Sequence, residues 1–305
     1  MRLDILAKYD RPVPRYTSYP TAPHFHDRIG PQAYADWLAE IPPDEPLSLY
    51  VHIPFCDSLC WFCGCHTKIV RRYAPVRDYL EVVGRELDLL VERLGGPRRL
   101  RHLHFGGGTP TILEPRDVRE VGRLLHRHFT FGEETDFAVE IDPREVRREM
   151  LAAWADIGLT RASLGVQDVN PDVQEAVNRI QPFEVTARVV EWLRASGIRG
   201  INFDLMYGLP LQTAEHLLVT VDKALTLEPE RLALFGYAHV PWMKRHQRLI
   251  SDSDLPGARD RLIQSEAAHG RLAAAGYVPI GLDHFARPDD PLARALENGT
   301  LHRNF

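Results

Sequence analysis

Apolar, β-rich runs alternate with amphipathic segments from residue 47 onward. The runs that predict strands are LSLYVHI (47–53), RLRHLHFG (99–106), DFAVEID (136–142), RASLGVQ (161–167), GINFDLMYG (200–208) and RLALFGYA (231–238). The intervening and following segments predict helices over 74–94, 114–129, 144–158, 182–197, 213–227 and 255–275. In the first of these, apolar residues recur at steps of three and four from Tyr79 to Leu94, which is typical of one buried helix face. The alternation predicts an α/β fold with a parallel sheet.

Six βα units of this kind fit either an open doubly wound sheet or a partial (β/α)6 barrel. In both architectures ligands bind at the carboxyl ends of the strands. Unusual motifs occur at those ends: a cysteine-rich loop after the first strand, then GGGTP (106–110), EIDP (140–143), GVQD (165–168), FDLMYGLP (203–210) and GYAHVP (236–241). We therefore expect the functional site along one rim of the sheet.

The first 46 residues follow no clear period. The stretch YDRPVPRYTSYPTAPHF (9–25) is rich in proline and predicts extended backbone. It is either a surface tail or an arm that packs on the fold, and the segment 31–41 after it predicts a helix. We expect three parts: an arm and helix over 1–46, the barrel over 47–285, and the start of a further region over 286–305.

Composition narrows the class of protein. The chain has 305 residues, 44% of them hydrophobic, and a net charge of −5. This balance suits a soluble enzyme and argues against a nucleic-acid partner, for which a basic surface is expected. No run of about 18 apolar residues and no secretory signal is visible, so we predict no membrane span and a cytoplasmic location.

All four cysteines lie between Val51 and His66, in VHIPFCDSLCWFCGCH. Disulfides here would close only very short loops, so a metal or cluster in a reducing compartment is favoured. Cys56, Cys60 and Cys63 can bind three irons of a [4Fe–4S] cluster and leave one iron open to a small molecule. A structural zinc site is the alternative, but the chain has no second pair of cysteines to complete it.

The order C-x3-C-x-aromatic-C, with Phe62 before Cys63, resembles the signature of the radical S-adenosylmethionine (SAM) family. Longer motifs narrow the resemblance to the oxygen-independent coproporphyrinogen III oxidases of haem biosynthesis: YVHIPFC, CGC, HFGGGTPT, GVQD, VNRIQ, INFDLMYGLP, LDHFARPDD and the arm YDRPVPRYTSYPTA. These motifs extend along essentially the whole chain. The resemblance implies a radical-SAM-type partial (β/α)6 barrel with an extended N-terminal arm.

The resemblance also implies cofactors and their ligands. Cys56, Cys60 and Cys63 would hold the [4Fe–4S] cluster, and the methionine part of SAM would chelate the open iron. The positions that match SAM contacts in the family are Tyr50, Phe62, Gly107, Gly108, Thr109, Glu140, Gln167, Arg179, Asp204 and Ala238. The last four lie on later strands and would suit a second SAM beside the first. Taken alone, Glu140 would fit a solvated charge or a helix-capping partner equally well.

The implied activity is oxidative decarboxylation of two propionates of coproporphyrinogen III to vinyl groups, giving protoporphyrinogen IX. It proceeds through a 5′-deoxyadenosyl radical and needs an electron donor and an electron acceptor. We expect a monomer. Arg15 and Arg287 are candidate propionate partners, because Arg pairs bidentately with carboxylates, and Tyr16 and Tyr19 would pack either on the macrocycle or on the barrel.

Two other functions are considered. A related haem-chaperone branch binds haem without decarboxylating it, but that branch lacks the arm and the fourth cysteine, Cys65. A zinc-bearing structural or binding module is the second. The family continues beyond this sequence with a C-terminal helical domain, which we expect to be lacking here. We expect residues 47–240 to suffice for the cluster and the first SAM, whereas decarboxylation is expected of the complete family architecture.

Overall fold

The computed structural model describes residues 8–9 and 24–302. The predicted arm residues Arg15, Tyr16 and Tyr19 lie outside these residues.

In the described residues, ten strands form two sheets. They are β1 (Leu47–Ile53), β2 (Phe55–Cys56), β3 (Lys68–Ile69), β4 (Arg98–Gly107), β5 (Phe129–Ile141), β6 (Arg161–Gln167), β7 (Gly200–Tyr207), β8 (Arg231–Gly236), β9 (Val278–Gly281) and β10 (His284–Ala286). The large sheet has the order β1-β4-β5-β6-β7-β8-β10-β9, while β2 and β3 pair separately. Within the large sheet β1, β4, β5, β6, β7 and β8 are mutually parallel, and β10 is antiparallel to both β8 and β9.

The strand order distinguishes the two architectures that the sequence left open. Each new parallel strand is added on the same side of the last one, without the reversal of a doubly wound sheet. Among the described residues, β1 and β9 are the two edges and do not pair with each other. The predicted α/β partial barrel of six parallel strands is confirmed.

Nine α-helices connect and flank the strands in the described part of the chain. They are α1 (Pro31–Glu40), α2 (Ala74–Arg93), α3 (Pro115–His128), α4 (Arg148–Asp156), α5 (Pro171–Ala176), α6 (Phe183–Ala195), α7 (Ala214–Thr226), α8 (Ala258–Ala274) and α9 (Pro291–Glu297). The seven helices that the sequence predicted are confirmed, most of them within two residues of their expected ends. α4 begins four residues late, because the backbone N–H of Arg144 donates to the Asp142 carboxylate and holds a turn there.

Apart from the short strands β2 and β3, the structure departs from the predicted elements in three places. The short helix α5 is only six residues long and carries too little periodicity to be recognised. Strand β5 begins at Phe129 rather than at residue 136, because 129–131 pair with the start of β4. The antiparallel pair of β9 and β10 follows the last predicted helix and extends the sheet beyond β8.

The core lies between the sheet and its helices. Val83, Leu87 and Val91 on the predicted apolar face of α2 are buried against it. Trp154 of α4 is completely buried and packs its indole edge-on against Phe105 and Phe137, with ring centroids 4.9 and 6.1 Å apart. This packing fixes α4 over β4 and β5, so the carboxyl ends of those strands occupy defined positions.

The described residues after β10 stay attached to the sheet. The buried Asp290 carboxylate caps α9 and lies 2.9 Å from Nε of Arg231 on β8. The guanidinium of Arg287 pairs with Asp289 at 3.4 Å.

No helix among residues 8–9 and 24–302 has the length and apolar character that crossing a bilayer requires.

Candidate active site

A cavity of about 780 Å³ lies at the carboxyl ends of the parallel strands. Parallel strands all end on the same side of a sheet, so motifs far apart in sequence meet there. Nearly all the residues predicted for the site line this cavity: Cys56, Cys60, Phe62, Cys63, Gly107, Gly108, Thr109, Glu140, Gln167, Arg179, Asp204 and Ala238. The structure thus brings together the cysteine loop and the ends of β4 to β8.

Tyr50 is the exception among the predicted SAM residues. It lines a neighbouring groove between β1, α1 and α2 instead of the main cavity. Its hydroxyl lies 3.0 Å from Nδ1 of His52, and its ring stacks on His104 at 5.7 Å between centroids. Burial, and then the nearby Glu140, raise the pKa of Tyr50 to about 12. Arg287, the propionate candidate, is also absent from the cavity lining that the described residues form.

The cysteine loop is closed by its own small sheet. Phe55 and Cys56 of β2 pair with Lys68 and Ile69 of β3, which joins the two ends of the loop. This pairing could not be predicted from the sequence, because strands of two residues have no detectable alternation.

Contacts from distant segments hold the loop in place. The backbone N–H of Trp61 donates to the carbonyl of Val177 at 2.9 Å, just after α5. On the other side, the segment after β8 donates to carbonyls of the loop: Gln247 to Phe62 at 3.0 Å, His246 to Cys63 at 2.7 Å and Lys244 to Cys65 at 2.9 Å. These hydrogen bonds span more than a hundred residues and could not be inferred from spacing.

The four thiols have different surroundings. Sγ of Cys56 lies 3.1 Å from the Thr67 hydroxyl, and burial raises the pKa of Cys56. Cys60 is buried, while Cys65 is exposed. The hydrogen bond from the Cys65 side chain lowers the pKa of Cys63 to about 6, and the backbone N–H of Cys65 also donates to Sγ of Cys63 at 3.4 Å. Cys65 therefore stabilises the thiolate form of Cys63 through hydrogen bonds.

The cysteine loop can hold a cluster. Its four cysteines, Cys56, Cys60, Cys63 and Cys65, all line the cavity. A [4Fe–4S] cluster takes each cysteine on a different iron, so three of these thiols would suffice to hold it and leave one iron open to a ligand.

The glycine turn after β4 allows a close backbone approach. Gly107 has φ +114°, and a Cβ there would lie 2.6 Å from the His52 ring. A Cβ on Gly108 would lie 2.5 Å from the carbonyl oxygen of Phe55. The N–H of Gly107 donates to Glu140 at 3.0 Å, and His104 lies 3.2 Å from the same carboxylate. The turn and Glu140 thus form one wall of the cavity, and the carboxylate oxygens remain partly exposed to it.

A charged trio at the cavity wall was not predicted as a unit. Asp142, two residues after Glu140, binds the guanidinium of Arg144 at 2.6 Å and that of Arg179 at 3.0 Å. Burial would raise the pKa of Asp142, but Arg179 and Arg144 together lower it to about 2. The sequence EIDPR (140–144) did indicate a charged site here, because it places charged residues directly after a buried strand. Spacing could not show that Arg179 would reach the same carboxylate.

Asp204 lies on β7, with hydrogen bonds from Ser163 and Asn202, both at 2.9 Å. Burial raises its pKa from 3.8 to about 6, and Glu140 adds to the shift. The folded state therefore holds this proton more tightly than the unfolded chain does. The resulting stability is fully present below pH 3.8 and is lost as the pH rises through about 6.

We expect Asp204→Asn to remove this pH dependence. Relative to the variant, the wild-type apoprotein should lose about 2 kcal/mol of unfolding free energy between about pH 4.5 and about pH 7.5, because the whole shift is worth roughly 3 kcal/mol at 1.36 kcal/mol per pKa unit and part of it is already lost at about pH 4.5. Urea unfolding of both chains at about pH 4.5 and about pH 7.5 measures this difference. The exposed Asp44→Asn serves as control and should follow the wild type. An equal gap between wild type and Asp204→Asn at both pH values would contradict the assignment.

Residues 50–224 match the family described as the radical SAM superfamily, and fold and site together define a protein of that class. A relative in Bradyrhizobium diazoefficiens, named oxygen-independent coproporphyrinogen III oxidase, is 50% identical over the whole of this chain and 68% of its own length. The chain therefore belongs to the oxygen-independent coproporphyrinogen III oxidases.

Two further comparisons agree with this assignment. A relative of the same name in Escherichia coli is 42% identical over 99% of this chain and 66% of its own length. The solved coproporphyrinogen III oxidase of Escherichia coli, described as a radical SAM enzyme, matches with a TM-score of 0.92 and 41% identity over 98% of this chain and 67% of that chain. The chain thus spans about two thirds of the length of these relatives. Their names give no support to the haem-chaperone alternative.

Proposed function

We propose that the chain binds a [4Fe–4S] cluster through Cys56, Cys60 and Cys63 and acts on coproporphyrinogen III as its relatives' name states. The single observation that carries the proposal is the shared cavity. Four cysteines, the three proposed ligands among them, and nine of the ten predicted SAM positions line it, in a chain of this family. When bound, the cluster and SAM supply one-electron reduction and hydrogen-atom abstraction; the protein supplies position and shielding.

The first SAM would lie beside the cysteine loop, against the turn of Gly107 and Gly108. A Cβ on either glycine would clash with His52, Phe55 or Thr67, so glycine lets this turn pack directly against the cysteine loop, where the first SAM would bind. Glu140 presents a carboxylate at the same wall and would accept a hydrogen bond from an amine or a ribose hydroxyl. Phe62 packs with Val173 and Tyr237 behind the loop and keeps that side apolar.

A second SAM would lie toward the later strands, near Gln167, Arg179, Asp204 and Ala238. Two buried polar atoms there, Oε1 of Gln167 and Nε of Arg179, have no hydrogen-bond partner among the described residues. Buried polar groups are normally satisfied, so these unpaired atoms, on two residues that line the cavity, would gain partners if ligand binding turned their side chains. The backbone of Gln167 is left-handed, with φ 65°, which a functional constraint would explain.

The decarboxylation converts two propionates to vinyl groups and requires an electron donor and an electron acceptor. We propose that the protein acts as a monomer. The four cysteines are free thiols, so a reducing compartment such as the cytoplasm suits it.

The proposal is tested by anaerobic reconstitution with iron and sulfide, reduction with dithionite and addition of SAM. We expect a brown protein that releases 5′-deoxyadenosine when SAM is added. A zinc module would stay colourless. Intact cluster absorbance without any 5′-deoxyadenosine would refute the radical function.

A further inference from the structure

Among the contacts of the three proposed ligands, those of Cys60 are distinctive. Nη2 of Arg144 and Nη1 of Arg179 both lie 3.4 Å from its Sγ. Cys56 receives hydroxyl donors, from Thr67 at 3.1 Å and Thr109 at 3.6 Å. Cys63 receives the backbone N–H of Cys65. Direct cationic donors are thus described at Cys60, whereas the direct contacts at the other two are neutral and Lys244 and His246 act on Cys63 only through space.

Asp142 orients both guanidinium groups. Its carboxylate accepts from Nε and Nη2 of Arg144 and from Nη1 and Nη2 of Arg179. All three side chains are at most 12% exposed, so the charges act in a medium that screens them weakly. Arg179 is held additionally by the carbonyl of Gly165 at 2.7 Å. The described side-chain partners of Arg144 are Asp142 and Cys60. Arg144 is therefore placed to donate a hydrogen bond to Sγ of Cys60.

We propose that Arg144, oriented by Asp142, is a positioning residue that raises the reduction potential of the cluster through Sγ of Cys60. The inference rests on the proposed function, because it takes Cys60 as a cluster ligand. When the cluster accepts one electron, negative charge on its cysteine sulfurs increases. Hydrogen bonds to those sulfurs and nearby positive charge stabilise the reduced form more than the oxidised form.

The charges of Asp142, Arg144 and Arg179 predict that two substitutions shift the reduction potential of the cluster in opposite directions. Two guanidinium groups and one carboxylate leave a net charge of +1 beside Cys60. Arg144→Gln removes a positive charge and a donor, so the potential should fall. Asp142→Asn removes the negative charge and leaves both arginines, so the potential should rise. General damage to the loop would not produce shifts of opposite sign.

The test is a redox titration of the reconstituted chain, followed by the electron paramagnetic resonance signal of the reduced cluster, without SAM. For Arg144→Gln we expect the equilibrium between reduced and oxidised cluster to shift about tenfold toward the oxidised form, or about 59 mV for one electron. Asp142→Asn should shift it severalfold the other way. Arg144→Lys, which keeps the charge but not the planar fork, should fall between Arg144→Gln and wild type.

Arg147→Gln is the matched control. It removes the same charge three residues along, but its exposed side chain pairs with Glu149 at 2.7 Å and should leave the potential unchanged. A wild-type chain that assembles no cluster would refute the proposed function itself. A cluster with the same potential in wild type, Arg144→Gln and Asp142→Asn would overturn only the tuning role. So would folded Arg144→Gln and Arg144→Lys chains that both lack iron, since Arg144 would then build the loop.

Discussion

Serine at position 56, 60 or 63 abolishes the brown absorbance of the reconstituted protein, whereas Cys65→Ser retains it. This is the largest effect we expect from any single substitution. In the proposed assignment each of the three thiolates would bind a different iron, and a hydroxyl is a far weaker ligand than a thiolate. Iron content should fall from about four atoms per chain to background. Anaerobic reconstitution followed by iron analysis and absorbance measures the effect.

Cys65→Ser is the matched control because it makes the same atomic change in the same loop. Cys65 is exposed, and its role toward Cys63 is that of a donor. Serine keeps a side-chain donor and the backbone N–H, so the pKa of Cys63 should remain low. Loss of iron in Cys65→Ser, or retention of a full complement in any of the other three, would show that the ligands are misassigned.

The second large effect is expected for Gly108→Ala. The added Cβ would lie 2.5 Å from the Phe55 carbonyl oxygen and 2.6 Å from Oγ1 of Thr67. Both groups adjoin Cys56: Phe55 precedes it, and Thr67 lies against its sulfur. Because the first contact is with backbone, the strand end must move. We expect a loss of about 1–3 kcal/mol in unfolding free energy, as in other overpacked sites, together with reduced cluster content and SAM affinity.

Gly270→Ala provides a control of opposite sign. Gly270 lies inside α8, and a Cβ there meets nothing within 4 Å. Alanine in a helix interior should stabilise the chain by about 0.5–1 kcal/mol. Urea unfolding, iron content and SAM binding should be compared for both variants. Unchanged stability and cofactor binding in Gly108→Ala would contradict the tight packing between the glycine turn and the cysteine loop.

The sheet strands were accessible to sequence reasoning because their apolar runs are long and bounded by turns. β1 and β6 begin and end where the pattern placed them. The start of β5 was missed, because FTFGEE alternates weakly and pairs with β4 through a register shift. The pair β9–β10 was missed because strands of three and four residues carry no reliable period.

The candidate site was likewise accessible where residues are neighbours in sequence. The cysteine spacing and the glycine turn each indicate their chemistry within a few positions. Arg179 illustrates the limit. Its motif indicated a contact with SAM. The contacts of its guanidinium with Asp142 and with Cys60, which is 119 residues away in sequence, depend on the packing of α5 against the cysteine loop. No local pattern encodes such a contact.

Local information in the chain therefore establishes the βα alternation, the three-cysteine motif and the rim where the motifs meet, since each follows from periodicity or short spacing. The order of strands, the bracing of the cysteine loop from β8 and α5, and the charged trio behind Cys60 emerge on folding. They depend on contacts between distant segments, whose geometry is set by how helices pack on a twisted sheet. The cysteine motif indicates the proposed ligands, and the packing of distant segments around them determines the environment of each thiol.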